Sequence, residues 1–204
     1  MTKYSLKCVN NSQLSGSFAV FQKAPPTTIP GNVFSLAWFT RPTAPGSQVT
    51  FTWGLDYSFV WSETGLLQPG INFAASQAVA ADPDRQNLIQ LTKDTYGATT
   101  FGASNGNGAL GSLTIQQLSN VTPNKTSVGI GMSGSGTFAV QAAPNMTAVF
   151  TPHPNYWVVF GNYETGDVMD IQDVTEAVEV TYGGALTSRT ATLAIDNLIT
   201  VSSS

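Results

Sequence analysis

The sequence QVTFTWGLDYSFVWSE, residues 48–63, alternates apolar and polar side chains more strictly than any other part of this chain. Apolar residues occupy every second position from Val49 to Trp61, and Val60 is the one apolar residue between them. Alternation with period two is typical of a β-strand with one buried face, and no helix fits it. Because a single strand of this length is unusual, we expect Gly54 to divide it through a bulge or bend.

Shorter alternating runs recur between turn-forming segments rich in Gly, Pro and Asn. They are Tyr4/Leu6/Cys8, Phe34/Leu36/Trp38, Leu113/Ile115, Tyr156/Val158/Phe160 and Leu193/Ile195. Many short strands separated by such turn-forming segments predict an all-β fold, specifically an antiparallel sandwich of Greek-key or jelly-roll type. The length fits one sandwich domain over residues 1–204. In DIQDVTEAV (170–178) the apolar spacing is helical instead, which predicts one short helix at 171–178.

The sequence SVGIGMSGSGTFAV, residues 127–140, contains G-x-G-x-x-G at Gly129–Gly134. A dinucleotide site needs a helix opening on the last glycine, but the following GTFAVQAAPN is β-prone, so we predict no cofactor. Read as one strand, the segment has an apolar face and a face of small residues that includes Gly129, Gly131, Ser133 and Ser135. Glycine in a strand often marks the close approach of another backbone. That backbone belongs either to a neighbouring sheet or to a neighbouring molecule.

Composition argues against several classes of function. Charged residues make up only 10% of the 204 residues, and the formal net charge is −4. No cluster of cations is present that could bind nucleic acid. No apolar run is long enough for a transmembrane helix, and the N-terminus lacks the apolar core of a secretory signal. These features predict a protein that is cytoplasmic or is released by a non-classical route.

Catalytic and metal-binding patterns are weak. His153 lies between prolines, Cys8 alternates with Tyr4 and Leu6, and no nucleophile-elbow or metalloprotease motif accompanies them, which predicts no enzymatic activity. Six acidic residues are spaced along the segment that includes the predicted helix: Glu164, Asp167, Asp170, Asp173, Glu176 and Glu179. We expect them to form a solvated face. Calcium binding at 164–179 is the alternative, although the spacing is not that of an EF-hand.

Aromatic residues divide into two groups. Trp38, Trp53 and Trp61 fall in the core-like alternation and are expected to be buried. Tyr156, Trp157 and Tyr163 are the candidates for aromatic side chains that face a ligand.

Four blocks of sequence resemble the RhiA-type rhizosphere-expressed proteins of soil and root-associated bacteria. The blocks are SLAWF (35–39), TFTWGLDYSFVWSETG (50–65), SVGIGMSGSGTF (127–138) and FTPHPNYWVVFGNY (150–163). The resemblance implies a bacterial protein made in quantity at high cell density, with roles at the plant interface. It carries no established catalytic residues.

The sequence favours a structural protein that assembles into a homopolymer, a fibre or tube, through strand and terminal-segment contacts. The candidate association residues are Tyr4, Leu6, Gly129, Gly131, Ser133, Ser135, Ile199 and Val201. Two alternatives stay open. One is a lectin-like module that binds carbohydrate or a cell surface, and the other is a membrane-active β protein.

Overall fold

The computed structural model describes residues 2–24, 32–171, 174 and 176–203. All regular secondary structure in these ranges is β, in 17 strands that form four sheets. The prediction of an all-β sandwich fold is therefore confirmed. The described strands form two sandwiches rather than one, and most but not all of their pairs are antiparallel. Within the same ranges, no helix is long and apolar enough to cross a membrane.

Two four-stranded sheets pack face to face as a first sandwich. Its first sheet has the order β17 (Ile199–Ser203), β16 (Ser188–Leu193), β1 (Tyr4–Asn10) and β5 (Gln48–Trp53). Its second sheet has the order β15 (Val178–Val180), β14 (Tyr156–Gly161), β2 (Gly16–Phe21) and β4 (Phe39–Thr43). The core between them is apolar and aromatic, and its buried residues include Leu6, Phe18, Trp38, Trp53, Val158 and Leu193.

The remaining described strands form a second sandwich. Its first sheet has the order β3 (Phe34–Ser35), β12 (Ser135–Gln141), β11 (Ser127–Met132), β6 (Tyr57–Ser62) and β7 (Gln77–Ala81). Its second sheet has the order β13 (Thr147–Phe150), β10 (Leu113–Gln117), β8 (Leu88–Lys93) and β9 (Thr99–Phe101). The core between these sheets includes Phe59, Trp61, Ile89, Leu113, Val128 and Phe150.

The alternating stretch 48–63 runs through both sandwiches. β5 ends at Trp53 in the first sandwich, and β6 begins at Tyr57 in the second. The break at Gly54 is thus confirmed, and it marks the point where the chain crosses from one sandwich to the other. The Gly54 N–H donates a hydrogen bond to Ser133 Oγ at 2.9 Å, which fixes this crossing to the turn between β11 and β12.

The glycine-rich stretch 127–140 is a hairpin, so its interpretation as one strand is wrong. Ser133 and Gly134 have positive φ angles of 50° and 85° and form the two-residue turn between β11 and β12. Consecutive left-handed residues are what a tight hairpin turn of the I′ type requires. Ser133 and Ser135 therefore do not continue the face that carries Gly129 and Gly131. The same turn places no helix after Gly134, which removes the structural context of a dinucleotide site.

The short helix predicted at 171–178 is absent from the described part of that segment; residues 172, 173 and 175 lie outside it. A single helix-like turn is present, in which the Val174 N–H donates to the Asp170 carbonyl at 3.2 Å. Val178 begins β15 and pairs with Val158 of β14. The apolar spacing has another cause, because Ile171, Val174 and Ala177 pack on the outer face of the β2–β14 sheet.

Candidate functional site: the β17 edge

The edge of the first sandwich at β17 is the strongest candidate for a functional surface. We call this surface, residues 194–203, the β17 edge. β17 pairs with β16 on one side, and no described strand pairs with its other side. The turn before it is closed by two hydrogen bonds, from the Ala194 N–H to the Leu198 carbonyl at 2.9 Å and from the Asn197 N–H to the Ala194 carbonyl at 3.0 Å.

The register shows which backbone groups face outward. Hydrogen-bonded and non-hydrogen-bonded pairs alternate along an antiparallel ladder. Ala194–Leu198 is a hydrogen-bonded pair, and Thr192 lies opposite Thr200 two positions on. Thr200 and Ser202 therefore direct their backbone groups toward β16. The N–H and C=O groups of Ile199, Val201 and Ser203 point to the unpaired side, where another strand can bind them.

The side chains of β17 lack charged residues and proline, two features that protect edge strands. Ile199 and Val201, both predicted association residues, are half-buried and pack against the core of the first sandwich. Thr200 and Ser202 are exposed on the opposite face. Edge strands are commonly protected by lysine, proline or a bulge. The strand sequence ITVSS contains no charged residue and no proline.

Apolar and concave surface adjoins the same edge. Ile195 and Leu198, in the turn before β17, are 73% and 59% exposed. A cavity of about 370 Å³ opens beside the strand, and its lining includes Leu14, Gly16, Phe160, Leu193, Asn197 and Ile199. The edge therefore combines unpaired backbone, exposed apolar side chains and a cleft, which together suit association with another protein surface.

The other predicted association residues in strands lie inside the sheets. Tyr4 and Leu6 belong to β1, which is paired with β16 on one side and β5 on the other, and Leu6 is fully buried. Gly129 and Gly131 belong to β11, which lies between β6 and β12. A Cβ on Gly129 would overlap the Phe138 carbonyl oxygen of β12. The glycines do admit another backbone, as expected, and that backbone is the chain's own.

The two serines have local roles. Ser133 Oγ donates to Asp56 Oδ1 at 2.8 Å and accepts the Gly54 N–H, so it holds the crossing between β5 and β6. Ser135 lines a groove of about 340 Å³ beside β4 and β5. The other lining residues are Phe39, Thr40, Arg41, Thr50, Phe51, Thr52 and Thr165.

The three candidate ligand-facing aromatics differ in exposure. Tyr156 is only 4% exposed, so it does not face a ligand at the surface; it alternates with Val158 and points into the first core. Trp157 is half-buried, and Lys23 Nζ lies 3.4 Å from the centre of its ring. Tyr163 is half-buried against the outer face of the β2–β14 sheet. The predicted burial of Trp38, Trp53 and Trp61 is confirmed.

Tyr156 belongs to an aromatic cluster with the buried Trp53 and the half-buried Tyr4 and Tyr182. The Tyr156 ring lies 4.9 Å from Trp53 and 5.7 Å from Tyr182, measured between ring centres. Tyr156 Oη and Trp53 Nε1 are buried and have no hydrogen-bond partner in the described chain. Burial raises the pKa of Tyr156 to about 12, although the nearby Trp53 indole opposes the shift. Burial also raises the pKa of Tyr182.

These raised pKa values predict a loss of stability in alkali. The unfolded chain releases the Tyr156 proton near pH 10 and the folded chain only near pH 12, so the free energy of unfolding falls across this interval. For one such group the slope is about 1.4 kcal/mol per pH unit. We expect Tyr156→Phe to reduce this slope in urea titrations at several pH values. Tyr96→Phe, at a ring that is 95% exposed, is the control and should behave like the unmodified protein. Equal slopes in all three proteins would contradict this assignment.

The remaining side chains that could act in catalysis or bind a metal lie apart from one another. Cys8 is fully buried, and burial raises its pKa to about 12, so its thiol stays protonated and poorly nucleophilic. The His153 side chain is exposed between β13 and β14. The Asp167 carboxylate accepts hydrogen bonds from the Glu164 N–H at 2.7 Å and from Asn72 Nδ2 at 3.0 Å. Within the described ranges, which omit Asp173, no three such residues are grouped to hold a metal ion.

Comparison with known proteins relates the chain to one family. A family profile described as RhiA matches residues 1–204. Protein RhiA of Rhizobium leguminosarum bv. viciae is 41% identical over 207 residues, which cover 96% of this chain and 84% of that protein. No solved structure matches the chain significantly.

Proposed function

The chain belongs to the RhiA family, and from this premise we propose that it is a non-enzymatic structural protein that assembles into a homopolymer through the β17 edge. The observation that carries the proposal is the outer side of β17, which is uncharged and pairs with no strand in the described part of the chain. Strand addition to such an edge draws its affinity from backbone hydrogen bonds, and neighbouring side chains supply specificity. The low charged fraction of 10% leaves little repulsion between copies.

A second edge makes the polymer open-ended. β13 ends a sheet of the second sandwich, and no described strand pairs with its outer side. Its sequence TAVF is also uncharged, and Val149 is 39% exposed. We propose that β17 of one copy adds to β13 of the next. A contact between two different edges repeats along a filament, whereas a contact of β17 with itself gives a closed dimer.

Lysines at the β17 edge test this contact. The Thr200→Lys/Ser202→Lys double variant changes two exposed side chains and leaves the β16 ladder intact. We expect it to sediment as a monomer where the unmodified protein forms large species, because charged side chains on an edge oppose strand addition. The matched control is Gln68→Lys/Ala75→Lys, at exposed positions outside the strands, which adds the same charge. Identical sedimentation of the two double variants would argue against the β17 contact.

Carbohydrate binding is the second candidate, and the groove beside β4 and β5 is the observation that favours it. Five hydroxyl-bearing residues, Arg41 and the aromatic residues Phe39 and Phe51 line this groove. Hydroxyl and guanidinium groups can bind sugar hydroxyls, and aromatic surface can pack on a sugar ring. Glycan-array binding that Arg41→Ala abolishes would support this function. A blank array with the unmodified protein would remove it.

A further inference from the structure

The two sandwiches repeat one pattern of strand pairing. The sheet β17-β16-β1-β5 is paired antiparallel, parallel and antiparallel in that order, and so is the sheet β9-β8-β10-β13. The sheet β15-β14-β2-β4 is antiparallel throughout, and so are the strands β7-β6-β11-β12 of the remaining sheet, whose fifth strand is β3. Strands β1, β2, β4 and β5 therefore correspond to β10, β11, β12 and β13. Strands β6 to β9 correspond to β14 to β17.

Turn geometry supports this correspondence. Before β5, the Ser47 N–H donates to the Ala44 carbonyl at 3.1 Å; before β13, the Met146 N–H donates to the Ala143 carbonyl at 3.4 Å. Gly46 and Asn145, at the same point of the two turns, have positive φ angles of 75° and 58°. The carbonyls of Ser47 and Met146 then accept the N–H groups of Asn10 and Gln117, which end β1 and β10.

The two C-terminal hairpins also match. The turn between β8 and β9 has hydrogen bonds from the Asp94 N–H to the Ala98 carbonyl at 2.8 Å and from the Gly97 N–H to the Asp94 carbonyl at 3.0 Å. These are the same two bonds that close the β16–β17 turn. Gly97 and Asn197 are both left-handed, with φ angles of 83° and 64°. Three-residue hairpin loops of this kind are one choice among several, so their recurrence at equivalent positions is informative.

The sequence carries a matching repeat. Residues 44–81 align without a gap to residues 143–180, at a constant separation of 99 positions. Identical residues include Ala44 and Ala143, Pro45 and Pro144, Phe51 and Phe150, Thr52 and Thr151, Tyr57 and Tyr156, Val60 and Val159, and Val79 and Val178. The strand pairings agree with this alignment, since Phe59 pairs with Val79 in one sandwich and Val158 with Val178 in the other.

We infer that the chain is a fused duplication of a half-length unit whose binding partner is a second copy of that unit. The first sandwich combines β1, β2, β4 and β5 of the first half with β14 to β17 of the second half. The second sandwich combines β10 to β13 of the second half with β6 to β9 of the first half, and β3 of the first half pairs with the outer side of β12. Apart from the two-residue strand β3, which joins the second sandwich, the described chain crosses between the sandwiches at two equivalent places, after Trp53 and after Phe150. Each half thus completes the sheets of the other, as in a strand-exchanged dimer. This inference does not depend on the proposed homopolymer.

Cleavage of the folded protein between its halves tests the inference. A protease recognition sequence inserted between Leu110 and Gly111 lies in an exposed turn, since Leu110 is 80% exposed and the space around Gly111 is open. After cleavage, we expect the two fragments to elute together with unchanged near-ultraviolet circular dichroism. They should separate in denaturant, and mixing them after its removal should restore the folded signal. The uncut insertion protein is the control for the insertion itself.

Separated fragments give the decisive comparison. We expect neither fragment to regain a folded monomer alone; a folded homodimer of one fragment also supports the inference, because the fragment then exchanges strands with its own copy. Two fragments that elute separately as folded monomers would overturn it. If the insertion perturbs the uncut protein, co-expression of residues 1–110 and 111–204 as separate chains gives the same readout: joint elution supports the inference and separate folded monomers overturn it.

Discussion

Replacing Gly129 with alanine is expected to lower the free energy of unfolding by about 3 kcal/mol or more, which is the range of severe overpacking. The added Cβ would overlap the Phe138 carbonyl oxygen, and it would lie 3.1 Å from Ala139 Cα. Both atoms are backbone atoms of β12, which is paired here with β11 on one side and β3 on the other, so neither can rotate away. The register shift between Ile130 and Gly131 shows that the two strands already accommodate an irregularity here.

Urea unfolding followed by tryptophan fluorescence measures this effect. The matched control is Gly183→Ala, because a Cβ at Gly183 meets nothing within 4 Å and its φ is not in the left-handed region. We expect this control to change the free energy of unfolding by less than about 1 kcal/mol, in either direction. Comparable losses in both variants would show that the close approach of β12 to Gly129 is not what requires glycine.

Deletion of residues 2–12 is expected to unfold the first sandwich completely. β1 lies between β5 and β16 and is paired on both sides. Its Leu6 and Cys8 are fully buried, and Tyr182 Oη donates to the Ser5 carbonyl at 2.8 Å. Without this strand, β5 and β16 lose the partner that joins them in one sheet. We expect loss of the near-ultraviolet signal and a red shift of tryptophan emission, because Trp38 and Trp53 lie in that core.

A short truncation at the other end is the control. Removal of residues 202–204 takes away Ser202 and Ser203, which are exposed at the end of β17, and we expect the fold to persist. Cooperative unfolding of the N-terminally truncated chain at the same urea concentration as the full chain would contradict the position of β1. The expected result also means that an N-terminal deletion cannot test self-association selectively, which is why the lysine variants of β17 are used.

Local features of the fold could be predicted because their signals lie close together in sequence. Alternation in 48–63 indicated strands, Gly54 indicated the break, and three tryptophans in the alternating runs indicated the core. The family was recognisable from residues 50–65 and 150–163, where aromatic and glycine residues form long specific blocks. None of these inferences needed the identity of a pairing partner.

The wrong predictions arose where a local sequence pattern is compatible with two different structures. A Ser-Gly turn is a weaker hairpin signal than Asn-Gly, so residues 127–140 resembled one strand. The spacing of Ile171, Val174 and Val178 suits a helix, but Val178 satisfies its backbone by pairing with Val158. In both cases the backbone hydrogen bonds go to partners that the local pattern does not reveal.

The order of the strands within each sheet could not be predicted from the sequence, for a related reason. Tyr4/Leu6 and Ile199/Val201 occupy similar terminal segments, yet β1 is internal and β17 is at an edge. The difference arises because β16 returns parallel to β1 from more than 170 positions away, Ser188 pairing with Ser5. The similar sequences SGSFAV (15–20) and SGTFAV (135–140) lie at β2 and β12, whereas the pairing pattern relates β2 to β11.

Negative-stain electron microscopy of the purified, unmodified protein tests the proposed homopolymer most directly. Edge-to-edge contact of β17 with β13 should give filaments of uniform width with a regular repeat, and their number should rise with protein concentration. Separate particles of single-chain size at every concentration, confirmed by light scattering on the same samples, would contradict assembly through the β17 edge.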